Sequence, residues 1–400
     1  MAWLSILGIG EDGVDGLSGE ACAALAAAPL VAGSSRQLAL AAPLVTGERL
    51  SWPSPMLAAL PVLLARRVAG TVILASGDPF WFGIAGEVAR LLDPAEFRCL
   101  PVPSSLSLAC ARLGWSLQHT TILSLCGRPL ETLLPALQPG TRLLVLSAGA
   151  ETPAQVAALL RARGFGASRL HVLQRLGGPG ERIASLPAED VPGPVDPLNL
   201  LAIELAAGPG ARVIGLAPGL PDEWFAHDGQ LSRREIRALT LSALAPRAGE
   251  LLWDVGCGSG SLGIEWMLRH PSNQAFAIER DAGRAARAAD NARQLGVPGL
   301  EIRQAEAPAG LDGLPRPDAV VIGGGLTTPG LLERCLGALH AGGRLVANAV
   351  TLQGEQVLVA AQAARGGALL RIGLDRQDRI GGFDVLRPAM RVLQWSWVAP

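Results

Sequence analysis

Apolar residues along this 400-residue chain gather in short strand-like runs separated by longer stretches rich in alanine and leucine. The runs include Trp3-Leu-Ser-Ile-Leu7, Thr71-Val-Ile-Leu-Ala75, Arg142-Leu-Leu-Val-Leu146, Leu251-Leu-Trp-Asp254, Gln274-Ala-Phe-Ala-Ile278, Asp318-Ala-Val-Val-Ile322 and Arg344-Leu-Val-Ala347. Strand and helix patterns alternate throughout, which predicts an α/β protein with largely parallel sheets. Around Gly208-Pro-Gly210 and Pro218-Gly219 the pattern dissolves into turn residues. A new helix is expected from Leu231, where Ser232 and Glu235 have capping-box spacing. The expected domains are therefore 1–207 and 231–400, with a linker over 208–230. Met390 to Trp397 alternates like a strand, and a late strand suits a seven-stranded sheet.

Composition narrows the classes. A net charge of −1 gives no electrostatic case for nucleic acid. No apolar run reaches the roughly 18 residues of a spanning helix, so no membrane partner is expected. The six cysteines, at 22, 99, 110, 126, 257 and 335, show neither metal spacing nor a disulfide framework. No metal is expected, and a reducing cytoplasm fits. The strand-like N-terminus has no basic region, so no signal peptide is expected. All 34 basic residues are arginine, a choice that fits codon bias and also suits bidentate carboxylate binding.

Chemistry concentrates in Asp254-Val-Gly256-Cys-Gly258-Ser-Gly260, between a strand and a helix. Glycines let a backbone approach a ligand that a Cβ would block. Twenty-five residues past Asp254, Glu279 ends the next strand, where an acid can hold two ribose hydroxyls. A nucleoside-bearing cofactor is implied. Gly258-x-Gly260-x-x-Gly263 also fits a dinucleotide pattern, but the turn begins too early for that register. Asp254 would accept from an amino-acid ammonium and repel a pyrophosphate. The spacing therefore favours S-adenosylmethionine.

Three loops in the first half each follow a strand and open a helix: Ile6-Leu-Gly8-Ile-Gly10-Glu-Asp-Gly13, Ser76-Gly77-Asp78-Pro79, and Pro101-Val-Pro103-Ser104-Ser105. In that order they resemble the tetrapyrrole methylase family, whose loops read G-x-G-P-G, S-G-D-P and P-G-x-S-S. Residues 213–397 resemble the class I methyltransferases that act at C15 of a corrin precursor. That resemblance rests on Leu220-Pro-Asp222-Glu-Trp-Phe225, Arg233-Arg-Glu-Ile-Arg237, the Asp254 loop, Ala277-Ile-Glu279-Arg-Asp281, Glu306-Ala-Pro308 and Pro317 to Gly323. Two positions depart from the family patterns: Glu11-Asp12 replaces Pro-Gly, and Pro103 replaces Gly.

The resemblance implies a two-lobed tetrapyrrole methylase fold followed by a class I, Rossmann-like seven-stranded methyltransferase fold. It implies two S-adenosylmethionine sites and an enzyme of cobalamin biosynthesis. That enzyme would methylate C5 and C15 of a corrin precursor and remove the ring C acetate carboxyl. Gly8, Gly10, Gly77, Asp78, Ser104 and Ser105 would form the first cofactor site, although Asp78 also suits a helix cap. Asp254, Gly256, Gly258, Gly260, Glu279, Glu306 and Ala307 would form the second. Gly323-Gly-Gly325 and Asn348 to Thr351 would line the substrate mouth. A polycarboxylated tetrapyrrole calls for arginines, and Arg36, Arg128, Arg233, Arg237 and Arg379 are the candidates. A homo-oligomer is expected. No catalytic acid or base is assigned.

Overall fold

The computed structural model describes residues 2–53, 59–190 and 192–400. The chain divides into two units. One comprises 1–130 with 138–212, and the other 131–137 with 213–400.

The first unit carries two five-stranded sheets. Strands β1 (Leu4–Ile9), β2 (Leu30–Gly33), β3 (Glu48–Ser51), β4 (Thr71–Ser76) and β5 (Phe97–Leu100) form an all-parallel sheet in the order β3-β2-β4-β1-β5. β1 is buried along its whole length, because helices cover both faces of such a sheet. The two faces pack separately, Leu4, Ile6 and Ile73 on one side and Leu7, Ile9 and Leu74 on the other. Strands β6 (Thr121–Ser124), β7 (Arg142–Leu146), β8 (Arg169–Gln174), β9 (Arg182–Pro187) and β10 (Asn199–Glu204) form a mixed sheet in the order β6-β7-β10-β8-β9. Only β6 and β7 run parallel in it.

The second unit holds a seven-stranded sheet. Its members are β11 (Leu251–Val255), β12 (Gln274–Glu279), β13 (Glu301–Gln304), β14 (Ala319–Ile322), β15 (Arg344–Ala349), β16 (Ala368–Ile372) and β19 (Val392–Val398). They lie in the order β13-β12-β11-β14-β15-β19-β16. The first five are parallel; β19 runs antiparallel to β15, and β16 antiparallel to β19. Order therefore reverses between β11 and β14, which makes their carboxyl ends the crevice where such sheets bind ligands. Strands β17 (Asp375–Ile380) and β18 (Phe383–Pro388) pair only with each other.

The capping box expected at Ser232 does not form. The helix spans Arg234–Leu244 with Arg233 at its N-cap, and no side chain caps it. Ser232 instead uses its carbonyl oxygen, which accepts from Arg237. No helix among the described residues is long and apolar enough to cross a membrane.

Candidate active sites

In the first unit the three predicted loops meet at the carboxyl ends of β1, β4 and β5. Gly77 N–H donates to Ile9 O at 3.2 Å, and Val102 N–H donates to Gly77 O at 3.3 Å. Gly8 is required by this closeness, since a Cβ there would lie 1.9 Å from Gly77 O. Gly77 has φ +60°, and its Cβ would meet Ser104 Cα at 2.9 Å. Ser104 is buried and caps the helix Ser105–Leu113, accepting from Ser107 N–H at 3.2 Å. Pro103 thus still delivers a serine to the helix start. Ser105 is the first residue of that helix.

Asp78 does not cap the following helix. Its Oδ1 accepts from Phe80 N–H at 2.9 Å, forming a local turn. A Cβ at Gly10 would meet only the Asp12 carboxylate, a side-chain end that can move aside, so the loop does not itself demand glycine there. The Glu11 departure also has a physical role. Its nearly buried carboxylate pairs with Arg36 and, at 3.1 Å, with Arg175 at the end of β8. Arg175 in turn pairs with Asp196 at 2.7 Å. Glu11 thereby ties the two sheets of this unit together. Arg36 is engaged further by Ser76 Oγ at 2.7 Å, so much of its donor capacity is spent on the protein. Arg128 follows β6, and its guanidinium lies 5.3 Å from the centroid of the Phe82 ring.

In the second unit Gly256, Gly258 and Gly260 all have positive φ, between +58° and +74°. At Gly256 a Cβ would also strike the backbone of Gly324 at 2.8 Å. The loops after β11 and β14 therefore touch at the point where strand order reverses. Glu279 is buried, with Oε2 accepting from Gly258 N–H at 3.0 Å and Oε1 from Asp281 N–H at 3.0 Å. An ionised carboxylate has about four acceptor positions, so lone pairs remain for a ligand. Glycines in positive φ beside a backbone-held acid form a cradle that fits a nucleoside-bearing group.

Asp254 is fully buried and accepts from Gly263 N–H at 2.9 Å. Burial pushes its pKa up to about 7, and the negative charge of Glu279 adds to the rise. Burial likewise pushes the Cys257 thiol well up, so it remains protonated and unreactive.

The raised Asp254 value carries a stability prediction. Below about pH 4 the carboxyl is protonated in both states. Between about pH 4 and pH 7 the folded chain holds a proton that the unfolded chain has released. Stability from this group therefore falls as pH rises through that window, by about 4 kcal/mol in total. Asp254→Asn should gain stability relative to the parent as pH rises from 5 to 8, measured by denaturant unfolding. An unchanged difference between the two proteins would refute the raised value.

Arg237 requires a correction. The sequence marks it as a substrate ligand, but its side chain is completely buried. Nε donates to Glu265 Oε1 at 2.8 Å, Nη1 to Asp222 Oδ1 at 2.7 Å, and Nη2 to Leu220 O. Its guanidinium also lies 4.7 Å from the centroid of the Phe225 ring. Glu265, itself fully buried, accepts from Gly219 N–H at 2.6 Å and Leu220 N–H at 3.0 Å. This cluster pins the segment before the helix against the helix Ser261–Met267. Asn291 extends the pinning, donating to Ala226 O at 3.0 Å and to Ser259 O in the glycine loop at 2.9 Å.

The helix Arg234–Leu244 runs antiparallel to β15. Arg344, at the start of β15, donates to Leu244 O at 2.7 Å, while Asn348, near its end, donates to Thr240 Oγ1 at 2.9 Å. Arg233 therefore sits on the side of the strands' carboxyl ends, half exposed, 3.5 Å from Asp222. Gln394 donates to both Asn348 Oδ1 and Thr240 Oγ1, completing a polar network that sequence reasoning had missed. Glu306 is exposed, 4.0 Å from Arg280, and Ala307 packs partly buried against the core. Arg379 lies on β17, which pairs only with β18, and is largely exposed, 3.4 Å from Asp384.

Comparison with known proteins places each half of the chain in a family. The tetrapyrrole (corrin/porphyrin) methylase family matches residues 4–192, and the precorrin methyltransferase domain family matches residues 223–399. A precorrin-6Y C(5,15)-methyltransferase (decarboxylating) of Sinorhizobium sp is 54% identical over 99% of this chain and 96% of its own. One of Mycobacterium tuberculosis (strain CDC 1551 / Oshkosh) is 43% identical over 98% of both. A probable cobalt-precorrin-6B C(15)-methyltransferase (decarboxylating) of Pyrobaculum aerophilum is 32% identical over 43% of this chain and 91% of its own.

Proposed function

The chain belongs to the precorrin-6Y C(5,15)-methyltransferase (decarboxylating) family, and from that premise we propose how its two units divide the work. Residues 1–207 methylate C5 of precorrin-6Y. Residues 231–400 methylate C15 and release the ring C acetate carboxyl as carbon dioxide, giving precorrin-8X. The expected linker 208–230 is largely part of the second unit, which takes in the chain from Val213 onward. The observation that carries this reading is the presence of two separate glycine-built cradles in one chain, at Gly8 and Gly77 and at Gly256 to Gly260. The short Pyrobaculum relative supports joining decarboxylation to C15, because its name holds both reactions in a match of 178 residues.

S-adenosylmethionine, when bound, supplies a methyl group already activated on a sulfonium. Gly256, Gly258 and Gly260 admit its methionine part, Glu279 takes the ribose, and Glu306 and Ala307 flank the adenine. Asp254 lies buried beneath this loop and holds the start of the helix Ser261–Met267 through Gly263 N–H, so it shapes the cradle without being exposed to it. In the first unit Gly8, Gly10, Gly77, Asp78, Ser104 and Ser105 surround the equivalent site. The macrocycle's enamine carbons are nucleophilic without a strong base. The chain's contribution is then mainly proximity and orientation, which are worth about 7–11 kcal/mol. Arg128 and Arg233, both exposed, hold substrate carboxylates. Exposed Ile380, Phe383 and Leu386 on β17 and β18 support a homo-oligomer. Six free cysteines support a cytoplasmic enzyme.

Titration calorimetry with S-adenosylhomocysteine should give two equivalents per chain, and Gly256→Ala should lose only one. A single equivalent in the parent, with or without substrate present, would contradict the two-site reading.

A further inference from the structure

Large aromatic side chains are scarce here, with nine tryptophans, seven phenylalanines and no tyrosine. Three stand consecutively and exposed. Phe80, Trp81 and Phe82 are 53%, 44% and 47% exposed and directly follow Asp78-Pro79 in the cofactor loop of the first unit. We propose that Phe80, Trp81 and Phe82 form a platform for the face of the tetrapyrrole macrocycle, with Arg128 taking one of its carboxylates. This deepens the reading of the N-terminal unit as the C5 methylase and rests on it.

The loop is built to hold these rings out. Asp78 Oδ1 fixes Phe80 N–H, Trp81 N–H donates to Asp78 O at 3.1 Å, and Ala85 N–H donates to Pro79 O at 3.1 Å. Gly83 completes the tight return, since a Cβ there would lie 2.4 Å from Pro79 O. Phe82 has φ +51°, a left-handed conformation unfavourable for an aromatic residue. Such strain persists only where the surroundings enforce it, and it gathers at ligand sites. Burial of Phe82 does not repay that strain, because the ring remains half exposed.

Two further observations select the ligand. The platform begins three residues past Gly77, which lines the cradle, so a group resting on it lies beside the bound cofactor. Arg128 comes from the other sheet of the same unit and stacks over Phe82. No carboxylate among the described residues pairs with it. A flat conjugated ring edged with carboxylates offers a face to the aromatics and an anion to the guanidinium.

The test uses the full chain with S-adenosylmethionine and metal-free precorrin-6Y, scoring methyl groups at C5 and C15 separately. Trp81→Ala and Phe82→Ala should each raise KM for C5 methylation about tenfold. C15 methylation should remain at the parent rate, as should S-adenosylhomocysteine binding in the first unit. Trp81→Phe should restore most of the lost affinity. Unchanged C5 kinetics in both alanine variants would overturn the platform while leaving the two-site function intact. So would a change confined to oligomeric state in sedimentation, which would make the patch a contact between copies. A parent chain that methylates C15 but never C5 would instead remove the functional reading, and the platform with it.

Discussion

Arg237→Ala is expected to destabilise the C-terminal unit by about 3–5 kcal/mol, the usual cost of removing one partner from a buried ion pair. Arg237 and Glu265 are both completely buried, so the alanine would leave a carboxylate without its counter-charge. The backbone donors of Gly219 and Leu220 would soften that loss without supplying the missing positive charge. Arg237→Lys should rescue little, because one ammonium cannot span Glu265, Asp222 and Leu220 O as the planar fork does. Arg233→Ala, one helical turn away and half exposed, should cost about 0–1 kcal/mol. Denaturant unfolding of the three variants decides the point. Equal stability of Arg237→Ala and Arg233→Ala would show that the buried cluster is no anchor.

Glu279→Ala should abolish C15 methylation and leave C5 methylation intact. Two backbone donors, from Gly258 and Asp281, would lose their acceptor together with the ribose contact. A hydrogen bond to a charged group contributes about 1.5–3 kcal/mol, so affinity at the second cradle should fall at least tenfold. Calorimetry would then register one strong equivalent in place of two. Normal binding at both cradles would mean that Glu279 does not hold the cofactor.

The parallel sheets were legible because strands buried on both faces read as plain apolar runs, as at β1, β4, β11 and β14. β9 was not legible: it is an edge strand, mostly exposed, and its composition carries no core signal. β17 is mostly polar, and both β17 and β18 are exposed for most of their length, so neither carries a core signal. Glycine positions were legible wherever close approach forbids a Cβ, as at Gly8 and Gly256. Arginine roles were not. Arg233 and Arg237 share a helix face, and only the tertiary partner Glu265 separates a surface cation from a buried one. A signal existed, since Glu265 sits inside the apolar helix Ser261–Met267 and a buried acid requires donors. The exposed aromatics were hidden for the opposite reason. A run of Phe, Trp and Phe carries no signal that separates surface from core, and only the turn at Asp78 places these rings outside.

The most direct measurement of the central claim is mass analysis of precorrin-6Y after reaction with the full chain and S-adenosylmethionine, run beside Glu279→Ala. The parent should yield a product that has gained two methyl groups and lost one carbon dioxide. The variant should yield one methyl group, at C5, with every carboxyl retained. Loss of carbon dioxide by the variant, or a parent product with only one added methyl group, would contradict the division of labour between the two units.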